Sequence, residues 1–385
     1  MPMFLKSIGF SVFYIGILEG FAEAVAGFGK GFFGKLSDSS GRRVPFVRWG
    51  YFLSSISKPM MALFSHPMWI FFSRALDRTG KGVRTGARDA MLSAETTPEN
   101  KGRVFGFHRA FDTIGASIGP LMALIYLGYY PESYSTLFLL AFLPGLASVA
   151  MTFLIRKEAI KSPLTPFAKG GVEAIKSPIS PFAKEGVKET IFHPFGFLKY
   201  WKASGSNYRR LVGGLLAFAL VNSSDIFLLL MAKTALNDDK LVILVYVFYN
   251  LVYALLSHPL GILADKIGLK LTYACGLVIF SGVYLAVAYT QNTIALFIIF
   301  MFYGVYAAAT EGISKAWITN ITPASDCATA IGFYTGWLSL ATLLASIAAG
   351  LLWTAVSPQA PFVISSIVSL CVASYILLMF RSSKY

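Results

Sequence analysis

Charged and polar side chains recur inside the long apolar stretches of this 385-residue chain. A charge in an apolar setting is costly, so such residues tend to face water or a partner group and to carry function. A carboxylate that faces an aqueous cavity can bind a cation or accept a proton. The alternative for each is a buried carboxylate held by a neighbouring Arg or Ser. The candidates are Glu19, Glu23, Arg109, Asp112, Asn222, Asp225, Glu311 and Lys315.

The spacing of these candidates suggests which of them share a helix face. Residues three or four apart are neighbours on a helix, so Arg109 and Asp112 can pair with each other. Lys58 stands alone, and we expect it to extend toward the membrane surface. Aromatic residues could line a cavity, although they are common in apolar helices: Tyr246, Tyr249, Tyr253, Tyr303, Tyr306 and Trp317.

A second pattern is a duplicated cluster, "GKLSDSSGRR" at 34–43 and "GILADKIGLK" at 261–270, with Gly, Asp and Gly at matched offsets. The first glycine of each copy allows two helices to approach closely, and the second allows a tight turn. The aspartate can accept hydrogen bonds from the free donors of a helix start. We predict a gating motif, the alternative being two ordinary charged loops. Its residues are Gly34, Asp38, Gly41, Arg42, Arg43, Gly261, Asp265, Gly268 and Lys270.

A third pattern is the charged segment "RALDRTGKGVRTGARDA" at 74–90. Its first four charges fall on one helix face, which could pair with Asp38 or bind an anion. The favoured alternative is a stabilising salt-bridge network at the membrane surface. The spacing of Gly and Lys excludes a phosphate-binding P-loop. This network comprises Arg74, Asp77, Arg78, Lys81, Arg84, Arg88 and Asp89.

The elements that carry these residues are membrane helices. The chain is 56% hydrophobic and only 14% charged, whereas a soluble domain carries about 25% charged residues. The net charge of +14 then indicates cationic cytoplasmic loops rather than nucleic-acid binding. The three cysteines lack metal-ligand spacing, and no catalytic triad or dinucleotide fingerprint is present. We therefore expect neither an enzyme nor a bound metal or cofactor.

Apolar runs of about 20 residues can each cross the bilayer. We predict eleven, at 9–34, 44–64, 67–86, 104–128, 134–155, 208–232, 240–263, 271–290, 292–318, 327–353 and 359–380. Between the fifth and sixth lies a basic, Pro-rich linker, which contains a 15-residue tandem repeat within 160–187. We expect this linker to be flexible and cytoplasmic.

The distribution of loop cations sets the orientation. Lys and Arg concentrate in the loops on the side of the two Gly–Asp–Gly clusters, whereas the opposite loops hold few. By the positive-inside rule the clusters are cytoplasmic. The C-terminus is then cytoplasmic, and with eleven spans the N-terminus is periplasmic.

The duplicated cluster, together with "DRTGKGVRTGARDAM" and "KGRVFGFHRAFDTIGASIGPL", resembles a bacterial branch of the major facilitator superfamily. This resemblance implies an all-α fold of two pseudo-symmetric bundles, with the cluster after helices two and eight of twelve. The chain then holds helices two to twelve, five plus six. The expected domains are an N-terminal bundle (1–156), the linker (157–206) and a C-terminal bundle (207–385). We expect a misplaced start or a truncation; the alternative is an eleven-helix protein.

The resemblance also implies a function: secondary active transport of a small solute through the inner membrane by alternating access, with proton-coupled efflux. The expected partners are the solute, the lipid bilayer and the coupling proton, and we expect a monomer. One alternative is a membrane receptor or scaffold of the same fold that does not transport. Another is an inactive truncated transporter.

Overall fold

The computed structural model describes residues 12–64, 66–131, 133–155, 190, 193, 195–236 and 238–379, with only the backbone at 12–20, 24, 124, 239, 240 and 379. The described residues form helices and short connections, with no strand among them. The predicted all-α fold class is therefore confirmed. The tandem repeat, most of the predicted linker and the two chain ends lie outside the described residues.

The helices follow one another closely along the chain, as expected of apolar runs separated by short polar loops. They are α1 (Val12–Ser40), α2 (Val44–Leu63), α3 (Pro67–Ala94), α4 (Lys101–Tyr129), α5 (Tyr134–Thr152), α6 (Tyr200–Ala203), α7 (Ser206–Ala219), α8 (Asp225–Leu236), α9 (Asp239–Ile267), α10 (Leu269–Tyr289), α11 (Thr293–Asn320), α12 (Cys327–Ala355) and α13 (Ala360–Met379). Two 3-10 helices, Gly196–Lys199 and Ala324–Asp326, precede α6 and α12.

Seven helices in the described ranges are long and apolar enough to cross a membrane. They are α4, α5 and the five helices from α9 to α13, and they match seven of the eleven predicted runs to within a few residues. Helices α1 to α3, which cover most of the first three runs, fall outside this group. The third run continues as helix to Ala94, so the charged segment is helical throughout. The total of eleven spans stays a prediction.

The sixth predicted run, 208–232, is not one continuous span. The helix stops after Ala219 and resumes as α8 at Asp225. Consecutive polar residues explain the break, because Asn and Ser side chains compete for backbone hydrogen bonds and favour helix ends. Neighbouring helices supply partners for the freed backbone: Ser365 donates its hydroxyl to the Val221 carbonyl (2.7 Å), and the Ser224 N–H donates to Ser346 Oγ (3.1 Å). Such partners are required at membrane depth.

The structure divides into two compact units. The first comprises Met1–Met91, Tyr126–Gly205 and Thr322–Trp337, and the second comprises Leu92–Ile125, Ser206–Ile321 and Leu338–Tyr385. In the first unit α2 packs along α5. In the second, α11 packs along both α9 and α10, and α13 also packs along α10. Large buried side chains such as Phe280, Tyr284 and Trp317 fill its core.

A short segment at residues 195–203, which we call the strap, packs in the first unit. It consists of the 3-10 helix Gly196–Lys199 followed by α6, and it contacts α1. Phe197 and Tyr200 are almost fully buried, whereas Phe195 is largely exposed. The strap therefore presents one apolar face to the unit.

Candidate functional site

The first copy of the duplicated cluster ends α1 and forms a close contact with the start of α12. A Cβ added at Gly34 would collide with the carbonyl oxygen of Ala328, so only glycine permits this approach. Asp38 accepts hydrogen bonds from the Thr329 N–H (2.7 Å) and hydroxyl (2.8 Å). Gly41 then turns the chain with φ 63°, in the left-handed region that favours glycine. All three roles agree with the sequence prediction.

The second copy ends α9 and forms the same kind of contact with the start of α4. A Cβ at Gly261 would collide with the carbonyl oxygen of Gly102. Asp265 accepts hydrogen bonds from the N–H groups of Gly102 and Arg103, both at 2.7 Å. Gly268 adopts φ 99°, which again requires glycine.

The equivalence of the two copies extends one turn further along the helices. A Cβ at Gly332, on α12, would collide with the Lys30 carbonyl oxygen, four residues before Gly34. A Cβ at Gly106, on α4, would collide with the Ser257 carbonyl oxygen, four residues before Gly261. The two copies, which have glycine and aspartate at the same offsets in the sequence, therefore make equivalent helix contacts in the structure.

The cations of the first copy support its aspartate. Arg43 approaches Asp38 (Nη2 to Oδ1, 3.4 Å) and donates to the Ala324 carbonyl (2.7 Å). Burial raises the pKa of the Asp38 carboxyl to about 6, although Arg43 and the donors of Thr329 lower it. Arg42 is exposed, and Lys270 lies in the first turn of α10.

The predicted face of α3 carries a salt-bridge network, which agrees with the favoured alternative. Asp77 lies 3.0 Å from Lys58 Nζ and 3.8 Å from Arg74 Nη1. Arg78 lies 2.9 Å from Glu23. Lys58 thus has an ion-pair partner that the sequence did not indicate, and its extension toward the membrane surface stays a prediction. Asp38, the other partner considered for this face, is occupied by Arg43 and Thr329.

The remainder of the charged segment continues along α3. Arg84 donates to Ser54 Oγ (2.8 Å), and its guanidinium lies over the Tyr51 ring, 4.4 Å from the centroid. Arg88 lies 3.0 Å from the buried Asp89. Lys81 belongs to the same helix. The Arg84 contacts join α3 to α2, whereas Arg88 and Asp89 pair within α3.

Arg109 on α4 is the centre of an ion-pair cluster in the second unit. It pairs with Glu311 on α11 and, as expected from the spacing, with Asp112 (3.1 Å). Its Nε donates to the Tyr253 hydroxyl. Glu311 and Asp112 keep about half of their side-chain surface accessible, 47% and 50%, so the pairs are not sealed from their surroundings. Lys315 lies one turn after Glu311.

Asp225 begins α8, directly after the helix break. Its two oxygens accept hydrogen bonds from the hydroxyls of Tyr249 (2.5 Å) and Tyr303 (2.7 Å). Asn222 donates its amide to the Tyr306 hydroxyl (3.1 Å). Four of the six aromatic residues suggested by the sequence thus bind a candidate polar residue. The Glu19 side chain lies outside the described residues.

Sequence reasoning missed two partners that complete these sites, Thr329 and Ala324, and it named Tyr253 only as a possible cavity lining. Thr329 follows Asp38 by 291 residues, so no local pattern links them. One signal was present: Gly102 and Gly106 stand four apart at the start of α4, as Gly332 and Gly336 do on α12. Small residues at that spacing mark a close helix contact.

Comparison with known families decides the class of the protein. The family model described as Major Facilitator Superfamily matches residues 1–237 and 210–384. The chain belongs to the Major Facilitator Superfamily. An uncharacterised MFS-type transporter of Methanocaldococcus jannaschii is similar to it, with 30% identity over 386 residues, 99% of this chain and 89% of the relative. An uncharacterised protein of Mycobacterium tuberculosis is 30% identical over 155 residues, 40% of this chain and 38% of the relative.

Solved structures show the same fold. The human organic anion transporter MFSD10 (TETRAN) matches with a TM-score of 0.74 at 14% identity, over 97% of this chain and 88% of that one. The proton:xylose symporter XylE, solved with 6-bromo-6-deoxy-D-glucose, matches with a TM-score of 0.68 at 14% identity, over 98% and 89%. This MFS protein is therefore a multi-pass membrane protein of a transporter family.

Proposed function

We propose that this MFS protein is a secondary active transporter, which exports a small solute through the inner membrane by alternating access coupled to proton entry. The observation that carries the proposal is the pair of equivalent contacts, α1 with α12 and α9 with α4. Each joins a helix from the first half of the sequence to one from the second half. A duplicated contact of this kind suits a transporter built from two similar halves.

The chemistry of the contacts suits reversible opening. Each is made of glycine–backbone packing and of hydrogen bonds from helix-start N–H groups to one aspartate. These N–H groups and the carboxylate can both be hydrated when the helices part, so neither state leaves a buried group without a partner. On the predicted orientation each contact lies on the cytoplasmic side, and the gating-motif residues are the parts of these contacts.

Arg109 and Glu311 are the proposed coupling pair. Protonation of Glu311 removes the charge that holds Arg109, so proton binding and the position of the guanidinium are linked. Asp112 and Tyr253 remain as partners of Arg109 when Glu311 is protonated. The exposed half of the Glu311 side chain gives the proton a route to the carboxylate.

Transport in proteoliposomes tests this proposal. Vesicles holding a pH-sensitive dye and an imposed proton gradient are exposed to a panel of small solutes, with the protein reconstituted as a monomer. We expect a solute that accelerates proton movement with the parent protein but not with Glu311→Gln. Glu99→Gln is the matched control, because Glu99 lies on an exposed loop. Solute flux that is indifferent to the proton gradient would refute proton coupling.

The pairing of Glu311 with Arg109 and of Glu23 with Arg78 also favours a second candidate, a receptor or scaffold of the same fold. Internally paired carboxylates need no transported ligand. This candidate predicts that a solute stabilises the protein against heat yet never crosses the vesicle membrane.

A further inference from the structure

Asp225 differs from the other described carboxylates of the apolar helices in its partners. Asp77 pairs with Lys58, and Glu311 pairs with Arg109. Asp225 instead accepts from the phenols of Tyr249 and Tyr303, and it forms no salt bridge within the described part of the chain. Arg109 and Glu311 act on Asp225 electrostatically with opposite signs, and Arg109 is paired with Glu311 and Asp112. Because a buried carboxylate that no cation contacts is costly at membrane depth, a proton or a bound cation would stabilise it.

The surroundings of Asp225 are aromatic and rich in oxygen. The rings of Tyr249 and Tyr303 lie 5.1 Å apart, and Phe300 lies 6.3 Å from each of them. Asn222 Oδ1 is buried without a hydrogen-bond partner, and the Tyr284 hydroxyl lies close enough to Asp225 to interact with its charge. Aromatic faces and oxygen atoms both attract cations.

We propose that Asp225, Tyr249 and Tyr303 bind the positive end of a small organic ammonium ion. This inference rests on the proposed transport function and names the substrate class for it. The ammonium group and a proton compete for the same carboxylate, so the two bind in alternation. The phenols keep the carboxylate oriented when it is empty, and their rings hold the alkyl groups of the cation when it is filled.

The test uses choline and its neutral isostere 3,3-dimethylbutan-1-ol as probes of the purified full-length protein. We expect choline to raise the melting temperature and the neutral alcohol to leave it unchanged. The choline shift should disappear in Asp225→Asn and persist in Glu99→Gln. It should also shrink as the pH falls, because protons displace the cation.

A milder pair of variants covers the case in which Asp225→Asn fails to fold. Tyr303→Phe should weaken choline binding about tenfold, the equivalent of one lost hydrogen bond to a charged group, whereas Tyr289→Phe, at an exposed tyrosine, should not. The proposal is overturned if choline and the neutral alcohol change the melting temperature equally. It is also overturned if the effect of choline on the melting temperature persists in both Asp225→Asn and Tyr303→Phe. Proton-coupled movement of a neutral or anionic solute would sink the ammonium site and leave the transport function standing.

An independent observation in the first unit concerns the strap. Phe197 fills the space left by Gly31 on α1, where an added Cβ would collide with its ring. Trp201 stacks on Phe333 of α12, with centroids 5.8 Å apart and planes inclined by 18°. Tyr200 is buried beside the same ring, at 6.5 Å. One short segment thus touches both helices of the Asp38–Thr329 contact.

Electrostatic neighbours place the strap beside that contact. Asp326, Asp38 and Cys327 lie close enough to Tyr200 to raise its pKa, although burial is the larger cause. Lys35 Nζ, on α1, lies against Gly196 of the strap. Because strap side chains pack on both α1 and α12, the two helices cannot part while both sets of contacts persist.

We infer that the strap is a clasp that holds α1 on α12 and must detach from one of them before the Asp38–Thr329 contact opens. Cys327 provides a native reporter, because it starts α12, is 2% exposed and lies near Tyr200. In a background with Cys275→Ala and Cys371→Ala, Cys327 is the only thiol of the chain.

The experiment measures the rate at which a maleimide labels Cys327. Phe197→Ala and Trp201→Ala should each label about tenfold faster than the parent, because local opening becomes easier. Leu198→Ala is the matched control, since Leu198 belongs to the strap and is 39% exposed. Unchanged labelling in both strap variants overturns the inference.

General unfolding is excluded with a second reporter. Ser281→Cys, combined with Cys327→Ala, places one thiol in the buried core of the second unit. This reporter should stay unlabelled in Phe197→Ala and Trp201→Ala. If it is labelled as well, the faster reaction reflects loss of the fold, and the clasp is refuted.

Discussion

The carboxylate of Asp38 binds both the backbone N–H and the hydroxyl of Thr329, 291 residues later in the chain. The side chain of Asp38 is only 6% exposed. Its charge is thus compensated by a helix start, by Thr329 and by Arg43 rather than by water. This single residue links the end of α1 to the start of α12, and its titration should be visible in the stability of the protein.

Stability should depend on the ionisation of Asp38. The folded-state pKa of about 6 lies above the ordinary 3.8 because of burial. A raised pKa contributes stability that is full below the ordinary value and is lost as the pH rises through about 6. The shift corresponds to at most about 3 kcal/mol. Melting temperatures of the parent should therefore fall between pH 4 and pH 7 relative to those of Asp38→Asn, and parallel curves would contradict the assignment.

Adding one methyl group at either close contact should be destabilising. In Gly34→Ala and Gly261→Ala the new Cβ meets a backbone carbonyl oxygen that cannot move aside. We expect a loss of roughly 1–3 kcal/mol, typical of overpacking, seen as a lower melting temperature. Gly282→Ala is the control, because no atom lies within 4 Å of the added carbon there. Equal stability of all three variants would show that the helices do not meet as described.

Arg109 and Glu311 should behave as a coupled pair. Arg109→Gln leaves a carboxylate without its cation, and Glu311→Gln leaves a cation with fewer partners, so each alone should destabilise the protein. The double variant should be less damaging than the sum, with a coupling energy of roughly 0.5–3 kcal/mol. A thermal double-mutant cycle measures this term. Strict additivity would mean that the two side chains do not interact.

The break between α7 and α8 should depend on the serines that bind its backbone. Ser365→Ala removes the donor to the Val221 carbonyl, and Ser346→Ala removes the acceptor for the Ser224 N–H. Each should cost about 1–3 kcal/mol, the penalty for a buried backbone group without a partner. Ser148→Ala is the comparison, since the exposed Ser148 hydroxyl binds only within its own helix. Hydrogen exchange at 220–224 should rise in the first two variants alone.

Local sequence was sufficient for the Gly–Asp–Gly clusters. Residues at fixed offsets on one helix determine which positions need no side chain and which can accept hydrogen bonds, so the roles of Gly34, Asp38 and Gly41 could be predicted. Continuity of apolar residues likewise located the seven long spans. The break at 220–224 was missed because hydropathy outweighed the polar run around Asn222, although that run is itself a helix-end signal.

Partners distant in sequence could not be predicted. No residue close to Asp38 in the sequence indicates that Thr329 is its hydrogen-bond donor. Likewise, no residue close to Asp77 indicates that it forms an ion pair with Lys58. These pairings depend on how whole helices pack, which one sequence does not reveal. The spacing of charges along a helix shows which residues are neighbours on one face. It does not identify the helix that packs against that face.

The two glycine-bearing contacts are reciprocal. In the first contact, Asp38 of the first half accepts a hydrogen bond from Thr329 of the second half. In the second contact, Asp265 of the second half accepts one from Gly102 of the first half. Neither half is self-sufficient, because each would keep an acid without its donors and a helix start without its acid. If the chain is divided within 157–206 and the two polypeptides are co-expressed, each should accordingly need the other to fold. A destabilising substitution in one half should then also lower the amount of folded protein from the other half.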